Sequence, residues 1–400
     1  MKDIANLALA GHEPLFDSIL PVGQLYSPSK ERFHSVFHDL FDRRYYTNHG
    51  KLAQELERRL EERLEVRNAV VVTNATLGLS LSCKALGLPP QGKVIVPAFT
   101  FAATVQALTW AGLEPVFCDI SNKSHNLDPQ KVAALLEQHD VCAILGVHLW
   151  GNPCDIEQLQ TLADSKGIPL FFDAAHAIAC RYHGKPIGNF GACEVFSFHA
   201  TKIMNATEGG CITTNDDELA ERLRNLRSSY GRRKNVKTPI DGYGRFSEAQ
   251  AAFGLLSLED LSRRCDENCQ KMALYHKKLS CIPGIHCISP APEENMNYQY
   301  VVLEIDEKEF GLSRDALQKL LEAENVIARR YFVPGMHHCP PYETLFPEFA
   351  TALPVTDALC TKVLQLPSGA PVSMDAVSRI CECIAFVQAN SADIKRTYFA

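Results

Sequence analysis

The chain has 400 residues, and at roughly 100 to 200 residues per domain this length indicates two domains, or one large α/β unit with an appendage. Hydrophobic residues make up 46% of the chain and charged residues 22%, which provides enough apolar material for a core and excludes a disordered protein. The formal net charge of −7 excludes a protein that coats nucleic acid, because such proteins depend on clustered Lys and Arg.

The amino-terminal region predicts one regular element. Its first fifty residues are rich in aromatic side chains and irregular in pattern, and they contain no apolar stretch long enough for a signal peptide. Residues 51–66 then predict a charged amphipathic helix, because leucines recur there at four-residue spacing.

A β-α alternation follows this helix. Apolar runs of strand length alternate with helices that begin near Thr76, Phe101, Asp128 and Asp155. The predicted strands are 69–73, 93–97, 114–120, 142–150, 169–175, 194–198 and 210–216. Several of them are apolar on both faces, which predicts an α/β fold with a mainly parallel, seven-stranded sheet covered by helices. Residues 94–113 carry no charge, but Pro97 falls where the strand pattern becomes helical, so we expect no membrane span.

The carboxyl-terminal part predicts a smaller α+β domain. A long helical stretch begins at Ser247. The elements predicted after it are strand 298–305, helix 313–324, strand 326–332, strand 363–368 and helix 373–389. We place the boundary inside the long helix, which gives a large domain of residues 1–260, including the amino-terminal segment, and a small domain of residues 261–400.

The cysteines predict no disulfide framework and no metal site. Their number, fifteen, is odd, and no pair has C-x-x-C spacing. His337, His338 and Cys339 stand together, but this spacing fits no zinc pattern. We therefore expect reduced, mostly buried thiols in a cytoplasmic protein.

Polar residues follow three of the predicted strands, at the edge of the sheet where open α/β folds bind ligands. The first group, residues 73–78, opens a helix whose free N–H groups could bind an anion, although an ordinary helix cap would have the same sequence. The second is Asp173, a carboxylate that needs an Arg, a metal or a protonated ring nitrogen as partner. The third is Lys202, which in isolation would be a solvated loop charge.

Together these groups match the needs of pyridoxal 5′-phosphate. That cofactor requires an amine for a Schiff base, a carboxylate at its pyridinium nitrogen and a cradle for its phosphate. It also accepts a flat group against the face of its ring, and Phe101 follows strand 93–97 at the same edge of the sheet.

The segments TNATLGL, VPAFTFAAT, FFDAAHA, VFSFHATK and SEAQAA resemble the DegT/DnrJ/StrS family of pyridoxal-phosphate-dependent nucleotide-sugar aminotransferases. The resemblance runs from about Thr47 to the carboxyl end and implies a fold of the aspartate-aminotransferase type. It implies that Lys202 forms the Schiff base and moves the proton, and that Asp173 keeps the pyridine nitrogen protonated. It also implies that Ala75, Thr76 and Ser197 bind the cofactor phosphate. Phe101 would stack on the face of the cofactor ring, and His176 would lie near the ring hydroxyl.

The sequence departs from the family pattern before the SEAQAA segment. Relatives usually carry there an Asn that reaches the phosphate of the other subunit's cofactor, and here Tyr243 takes that place. Its hydroxyl could still donate a hydrogen bond, and a local shift of the loop is the alternative. Related sugar dehydratases replace the lysine with histidine, so Lys202 argues against their chemistry.

The segments GVHLWG and RRYFVPGMH are most similar to the subgroup that aminates C4 of dTDP-4-keto-6-deoxyglucose. The resemblance implies L-glutamate as amino donor, pyridoxamine 5′-phosphate as the alternate cofactor form, and a homodimer with shared active sites. It also suggests Thr47, Asn48 and His337 for the sugar pocket. The alternatives are a C3-specific aminotransferase, a pyridoxal-phosphate-dependent dehydratase and a non-catalytic sensor of the same fold.

Overall fold

The structure is a computed structural model that describes residues 3–228, 242–288 and 296–399. Its strands are β1 (Asn68–Val72), β2 (Lys93–Pro97), β3 (Glu114–Cys118), β4 (Val141–Val147), β5 (Leu170–Asp173), β6 (Arg181–Tyr182), β7 (Lys185–Pro186), β8 (Glu194–Ser197), β9 (Gly210–Thr214), β10 (Ile285–Cys287), β11 (Val301–Ile305) and β12 (Val363–Leu366).

Helices connect and flank the strands. They are α1 (Lys30–Arg43), α2 (Lys51–Leu64), α3 (Ala75–Ala85), α4 (Ala102–Trp110), α5 (Pro129–Gln138), α6 (Ile156–Lys166), α7 (Asp217–Arg227), α8 (Glu248–Glu259), α9 (Leu261–Leu279), α10 (Glu307–Phe310), α11 (Arg314–Ala323), α12 (Tyr342–Leu345), α13 (Pro354–Lys362), α14 (Met374–Ala389) and α15 (Ser391–Tyr398). Within the described ranges, no helix combines the length and the apolar character that a membrane span needs.

The central sheet confirms the predicted α/β fold. Its seven strands, counted over the described residues, lie in the order β1-β9-β8-β5-β4-β2-β3. The neighbours from β8 to β3 run parallel, whereas β9 pairs antiparallel with both β8 and β1. The carboxyl ends of β2, β4, β5 and β8 therefore meet at one edge of the sheet, which positions the residues that follow them.

Two elements of the sequence analysis need correction. The aromatic first fifty residues contain α1, whose N-cap Ser29 accepts a hydrogen bond from the Arg32 amide. Its apolar residues, among them Phe33, Phe37 and Leu40, recur at helical spacing, so the pattern was present in the sequence and was overlooked. The predicted strand 326–332 forms only isolated bridges, at Val326 and Arg329.

The described residues bury apolar side chains in separate clusters. One cluster surrounds the seven-stranded sheet. Another fills the space between the sheet β10-β11-β12 and the helices α9, α11 and α14. Leu7 and Phe16 belong to this second cluster, although the sequence analysis grouped the amino-terminal segment with the large domain. The domain boundary at residue 260 stays a prediction, and the long helical stretch is divided there into α8 and α9.

All fifteen cysteines lie in the described ranges and are free thiols. Most of them are buried, and burial raises the pKa of the Cys193 thiol to about 12. Such thiols are poor nucleophiles, so they act as small core residues.

Candidate active site

A cavity of about 310 Å³ opens at the edge of the sheet where β5 and β8 end. It contains the amine, the carboxylate and the helix start that the sequence analysis singled out. The predicted residues that line it are Ala75, Thr76, Phe101, Asp173, His176, Ser197 and Lys202. The fold therefore brings together groups that lie in four separate segments of the chain.

Lys202 lies in the loop that leaves β8. Its amine donates a hydrogen bond to the Tyr300 hydroxyl over 2.8 Å. Burial lowers the pKa of Lys202 to about 8, and the negative charge of Asp173 opposes part of this shift. A substantial fraction of the amine is consequently neutral near pH 8, and a neutral amine is what a nucleophile or proton acceptor requires.

Asp173 ends β5 and is nearly fully buried. One carboxylate oxygen accepts a hydrogen bond from the Thr104 hydroxyl over 2.8 Å, and the other accepts one from the Ala175 amide over 3.0 Å. Burial raises the pKa of Asp173, although these hydrogen bonds act in the opposite direction. The carboxylate is therefore held in one orientation and would gain from a positively charged partner in the cavity.

His176 is held as a neutral ring. Its Nδ1 accepts a hydrogen bond from the Trp150 amide over 3.2 Å, so the proton of the neutral ring lies on Nε2. Burial lowers the pKa of His176 well below its ordinary value. The Trp150 and His176 rings stack with centroids 5.9 Å apart. The turn of the GVHLWG segment thus fixes the ring that is predicted to meet the cofactor hydroxyl.

The predicted phosphate cradle is the amino-terminal turn of α3. The Asn74 side chain accepts from the Leu77 amide as N-cap, which leaves the amides of Ala75 and Thr76 at the cavity. Gly210 allows β9 to approach this turn, because a Cβ there would lie 2.8 Å from the Ala75 nitrogen. Ser197, at the end of β8, adds a hydroxyl. The exposed N–H groups and hydroxyls are donors of the kind that bind phosphate.

The SEAQAA segment has a structural role that the sequence alone did not reveal. Ser247 and Gln250 form a capping box at the start of α8. The fully buried Glu248 accepts hydrogen bonds from the amides of Leu52 and Ala53, over 3.0 and 2.9 Å, at the start of α2. The motif therefore joins two helices beside the cavity without entering it.

Three predicted residues lie on the surface next to the cavity and do not line it. Tyr243 is exposed, with the Arg245 guanidinium 5.2 Å from its ring centroid. Arg245 also donates to the Asn48 side chain over 2.9 Å, and Thr47 precedes Asn48 in the same turn. The cofactor contact of Tyr243, which was expected across a subunit interface, and the sugar contacts of Thr47 and Asn48 stay predictions.

His337 is buried and also lies outside the lining of the cavity. Its Nε2 and that of His338 each lie 3.0 Å from the same oxygen of Asp357. Within the described residues, these three side chains form the group that could hold a metal ion. Cys339 is not part of the group, and its thiol donates to the Gly335 carbonyl oxygen.

Several residues that line the cavity were not predicted. Those that come from residues 261–400 are Tyr300, Arg329, Tyr331, Phe332 and Gln365. The strand pattern placed them in the small domain, but no local motif indicated which of them would face the large one.

The donor set fits pyridoxal phosphate. Lys202 offers the amine, Asp173 a buried carboxylate for a pyridinium nitrogen, and His176 a ring N–H. Phe101 is exposed at the cavity, where it could cover one face of the cofactor ring. The start of α3 supplies the phosphate donors.

Comparison with known proteins agrees with this fit. Residues 28–385 match the DegT/DnrJ/EryC1/StrS aminotransferase family. A dTDP-4-amino-4,6-dideoxy-D-glucose transaminase of Escherichia coli is 31% identical over 372 residues, which cover 92% of this chain and 98% of that protein. A GDP-perosamine synthase of Vibrio cholerae is 30% identical over 365 residues, which cover 90% of this chain and 97% of that protein.

Two solved structures share the fold over nearly the whole chain. DesI, crystallised in the presence of its TDP-sugar product, is 39% identical with a TM-score of 0.94 and covers 100% of both chains. DesV of S. venezuelae, in complex with a ketimine intermediate, is 28% identical with a TM-score of 0.83, covering 90% of this chain and 95% of that chain. The chain therefore belongs to the DegT/DnrJ/EryC1/StrS aminotransferase family and is a pyridoxal-phosphate-dependent sugar transaminase.

Proposed function

We propose that the protein transfers the amino group of L-glutamate to dTDP-4-keto-6-deoxy-D-glucose and forms dTDP-4-amino-4,6-dideoxy-D-glucose. The observation that carries the transamination is the Lys202 amine, whose pKa is lowered to about 8 in the same cavity as the buried Asp173 carboxylate. A group with this pKa can donate and accept a proton near neutral pH, which amino transfer requires in both directions.

The choice of sugar is supported by the relatives. The Escherichia coli protein is named for a dTDP-linked 4-amino-4,6-dideoxyglucose, and DesI was crystallised with a TDP-sugar product. The Vibrio cholerae relative is named for a GDP-linked sugar at nearly the same identity. A GDP-linked 4-keto sugar therefore belongs among the compounds tested.

Each side chain has a distinct part in the proposed reaction. Pyridoxal phosphate supplies an electron sink that stabilises negative charge on the carbon that loses the proton. Lys202, as a neutral amine, would hold the cofactor through its carbonyl and, once released, would accept and return the proton. Asp173 would stabilise positive charge on the ring nitrogen, and His176 would donate a hydrogen bond to the ring hydroxyl.

We also propose a homodimer in which each chain completes the other's site. Phe41, Tyr45, Tyr46 and Tyr243 are all close to half exposed or more, which is a large apolar surface for one chain. Asn48 and Arg245 connect the turn that carries Tyr45 and Tyr46 to Tyr243. A second copy placed on this surface would bring Thr47, Asn48 and Tyr243 to its neighbour's cavity.

Two experiments test the function. An absorption spectrum of the purified protein should show a yellow band that shifts when L-glutamate is added. A band that does not change when L-glutamate is added would indicate another amino donor or a dehydratase. If no band appears even after pyridoxal phosphate is added, the alternative of a non-catalytic sensor is favoured. The 3-keto and 4-keto dTDP sugars and a 4-keto GDP sugar are then assayed side by side, with product masses recorded. Turnover of the 3-keto compound alone would contradict the C4 assignment.

The role of Lys202 is tested by Lys202→Ala. The variant should still bind pyridoxamine phosphate, because the phosphate cradle and Asp173 are intact, but it should show no amino transfer. Turnover near the wild-type rate would exclude Lys202 as the amine of the reaction. Lys185→Ala, at an exposed lysine in β7, is the matched control and should keep full activity.

A further inference from the structure

Tyr300 faces Lys202 from the opposite part of the fold. The two residues are 98 positions apart in sequence, yet the Lys202 amine donates to the Tyr300 hydroxyl oxygen over 2.8 Å. The amine also lies 5.5 Å from the centroid of the Tyr300 ring. In the part of the chain that the structure describes, this hydroxyl is the one hydrogen-bond acceptor that the amine reaches.

The Tyr300 ring cannot move freely away from the amine. The His176 ring lies 4.5 Å from it, and the Trp150 ring contacts it edge-on at 5.5 Å, both measured between centroids. The same two residues are joined by the hydrogen bond between the Trp150 amide and His176 Nδ1. The ring is therefore packed against residues of the cavity wall itself.

The backbone before Tyr300 is fixed to both loops of the site. The side chain of Gln299 donates to the His176 carbonyl oxygen over 2.7 Å and accepts from the Ile203 amide over 3.1 Å. Asn297 donates to the same His176 carbonyl over 2.8 Å. Because Ile203 follows Lys202 directly, these bonds set the distance between the tyrosine and the lysine.

We propose that Tyr300 is the positioning residue that holds the free amine of Lys202 ready for proton transfer. Lys202 has a free amine only while it is not joined to the cofactor, which is the period in which it must carry the proton. A long flexible side chain would otherwise sample several rotamers in that period, and fixing it in one reduces the entropy cost of each transfer. The proposal rests on the role proposed above for Lys202.

The charged and titratable groups around this pair are few. Asp173 and His176 face Lys202: the negative charge of Asp173 raises the pKa of Lys202, and the charge of Lys202 helps to keep the His176 ring neutral. Tyr331 and Arg329 act on the pKa of Tyr300, which the first raises and the second lowers. Burial raises the pKa of Tyr300 far above its ordinary value, so its hydroxyl stays neutral and serves Lys202 as a hydrogen-bond partner rather than as a counter-ion.

The test is Tyr300→Phe, which removes the hydroxyl and keeps the ring, with Tyr298→Phe two positions earlier as matched control. The apoprotein is treated with formaldehyde and a borohydride at a series of pH values, and methylation at Lys202 is followed by peptide mass spectrometry. The wild-type midpoint should lie near pH 8, the value to which burial lowers the pKa of Lys202. Loss of an acceptor for the ammonium should lower the midpoint by half a pH unit or more in Tyr300→Phe and leave it unchanged in Tyr298→Phe.

The kinetics of the enzyme with bound pyridoxal phosphate provide an independent test. We expect kcat of Tyr300→Phe to fall about ten- to a hundred-fold with little change in KM, because positioning affects the transition state more than substrate binding. The isotope effect with α-deuterated L-glutamate should increase as proton transfer becomes slower. A midpoint, kcat and isotope effect equal to those of the wild type would overturn the proposal. If Tyr300→Phe does not fold, Tyr300→Leu replaces it, with the same expected fall in the midpoint.

Failure of this proposal differs from failure of the proposed function. An inactive Lys202→Ala together with a fully active Tyr300→Phe would retain Lys202 as the reacting amine and reject only Tyr300. An active Lys202→Ala would reject both.

Discussion

Burial shifts the ionisation of the residues that would carry the reaction. The pKa of Lys202 is lowered to about 8 and that of Asp173 is raised, so both lie closer to neutral pH than usual. In each case desolvation is the largest cause. A positively charged pyridinium in the cavity would favour the ionised form of Asp173, which burial disfavours.

This shift predicts how the apoprotein takes up its cofactor. Below pH 8 the amine of Lys202 is mostly protonated and cannot attack a carbonyl, so the rate at which pyridoxal phosphate forms its yellow adduct should increase about tenfold per pH unit. The rate should level off above a midpoint near pH 8, the lowered pKa of Lys202. Stopped-flow absorption between pH 6 and about 10.4, the ordinary pKa of a lysine, measures it. A rate that keeps increasing to the upper end of this range would show that burial has not shifted the amine.

The sequence predicts a residue of the site well when one strand end determines its position. Lys202, Asp173 and the start of α3 each follow an apolar strand, and all of them reach the cavity. Thr104 and Tyr300 were missed because their roles depend on contacts across 69 and 98 positions of sequence. Neither contact leaves a local pattern, and both became visible only with the packing of the two cores.

At the scale of elements, the amino-terminal ends of α2 and α8 are linked by hydrogen bonds, and we call this contact the helix joint. Glu248 of α8 accepts from the first amides of α2, and Gly50 is required there because a Cβ would lie 2.5 Å from the Glu248 carboxyl carbon. Gln250 of the same motif donates to the Glu208 carbonyl oxygen over 2.8 Å, close to the lysine loop. The negative charge of Glu248 also lies at the amino end of α2, where the helix dipole favours it.

Loss of this charge should therefore destabilise the fold. Glu248→Gln keeps the shape of the side chain but weakens two hydrogen bonds to a buried carboxylate, which are each stronger than neutral ones. We expect the free energy of unfolding to fall by about 1–3 kcal/mol, measured by urea denaturation of the apoprotein. Glu62→Gln, at an exposed position on α2, is the control and should change it by less than about 0.5 kcal/mol. Equal stability of the two variants would show that the joint contributes nothing.

The sequence predicted the elements of the sheet because each strand is a short apolar run between turn residues. The seven predicted strands all recur in the central sheet, with ends that differ by a few residues. Helix α1 was missed although Phe33, Phe37 and Leu40 recur along it at helical spacing, and in the single chain only Leu40 of this stripe is buried. The predicted strand 326–332 was wrong, because this segment pairs with its neighbours only through isolated bridges at Val326 and Arg329. Its last residue, Phe332, lines the cavity.

At the scale of the whole molecule, one chain leaves its aromatic surface uncovered. Phe41, Tyr45, Tyr46 and Tyr243 lie on this surface with between 47% and 67% of their area exposed. Phe101, which lines the cavity, is also 54% exposed. An obligate dimer commonly buries more than about 2,000 Å² of mostly apolar surface, and this face is the region from which such an area could come.

Shared active sites predict complementation between inactive variants. In Lys202→Ala the amine is missing, and in the double variant Asn48→Ala, Tyr243→Ala the contribution to the neighbour is missing. A mixed dimer of the two has one site with both parts intact. With random exchange half of the dimers are mixed, so about a quarter of the wild-type activity should return on mixing. Sedimentation of the wild type at assay concentration gives the size of the active species. A stable, fully active monomer would contradict the shared site. So would the absence of any gain in activity after the subunits of the two variants have exchanged.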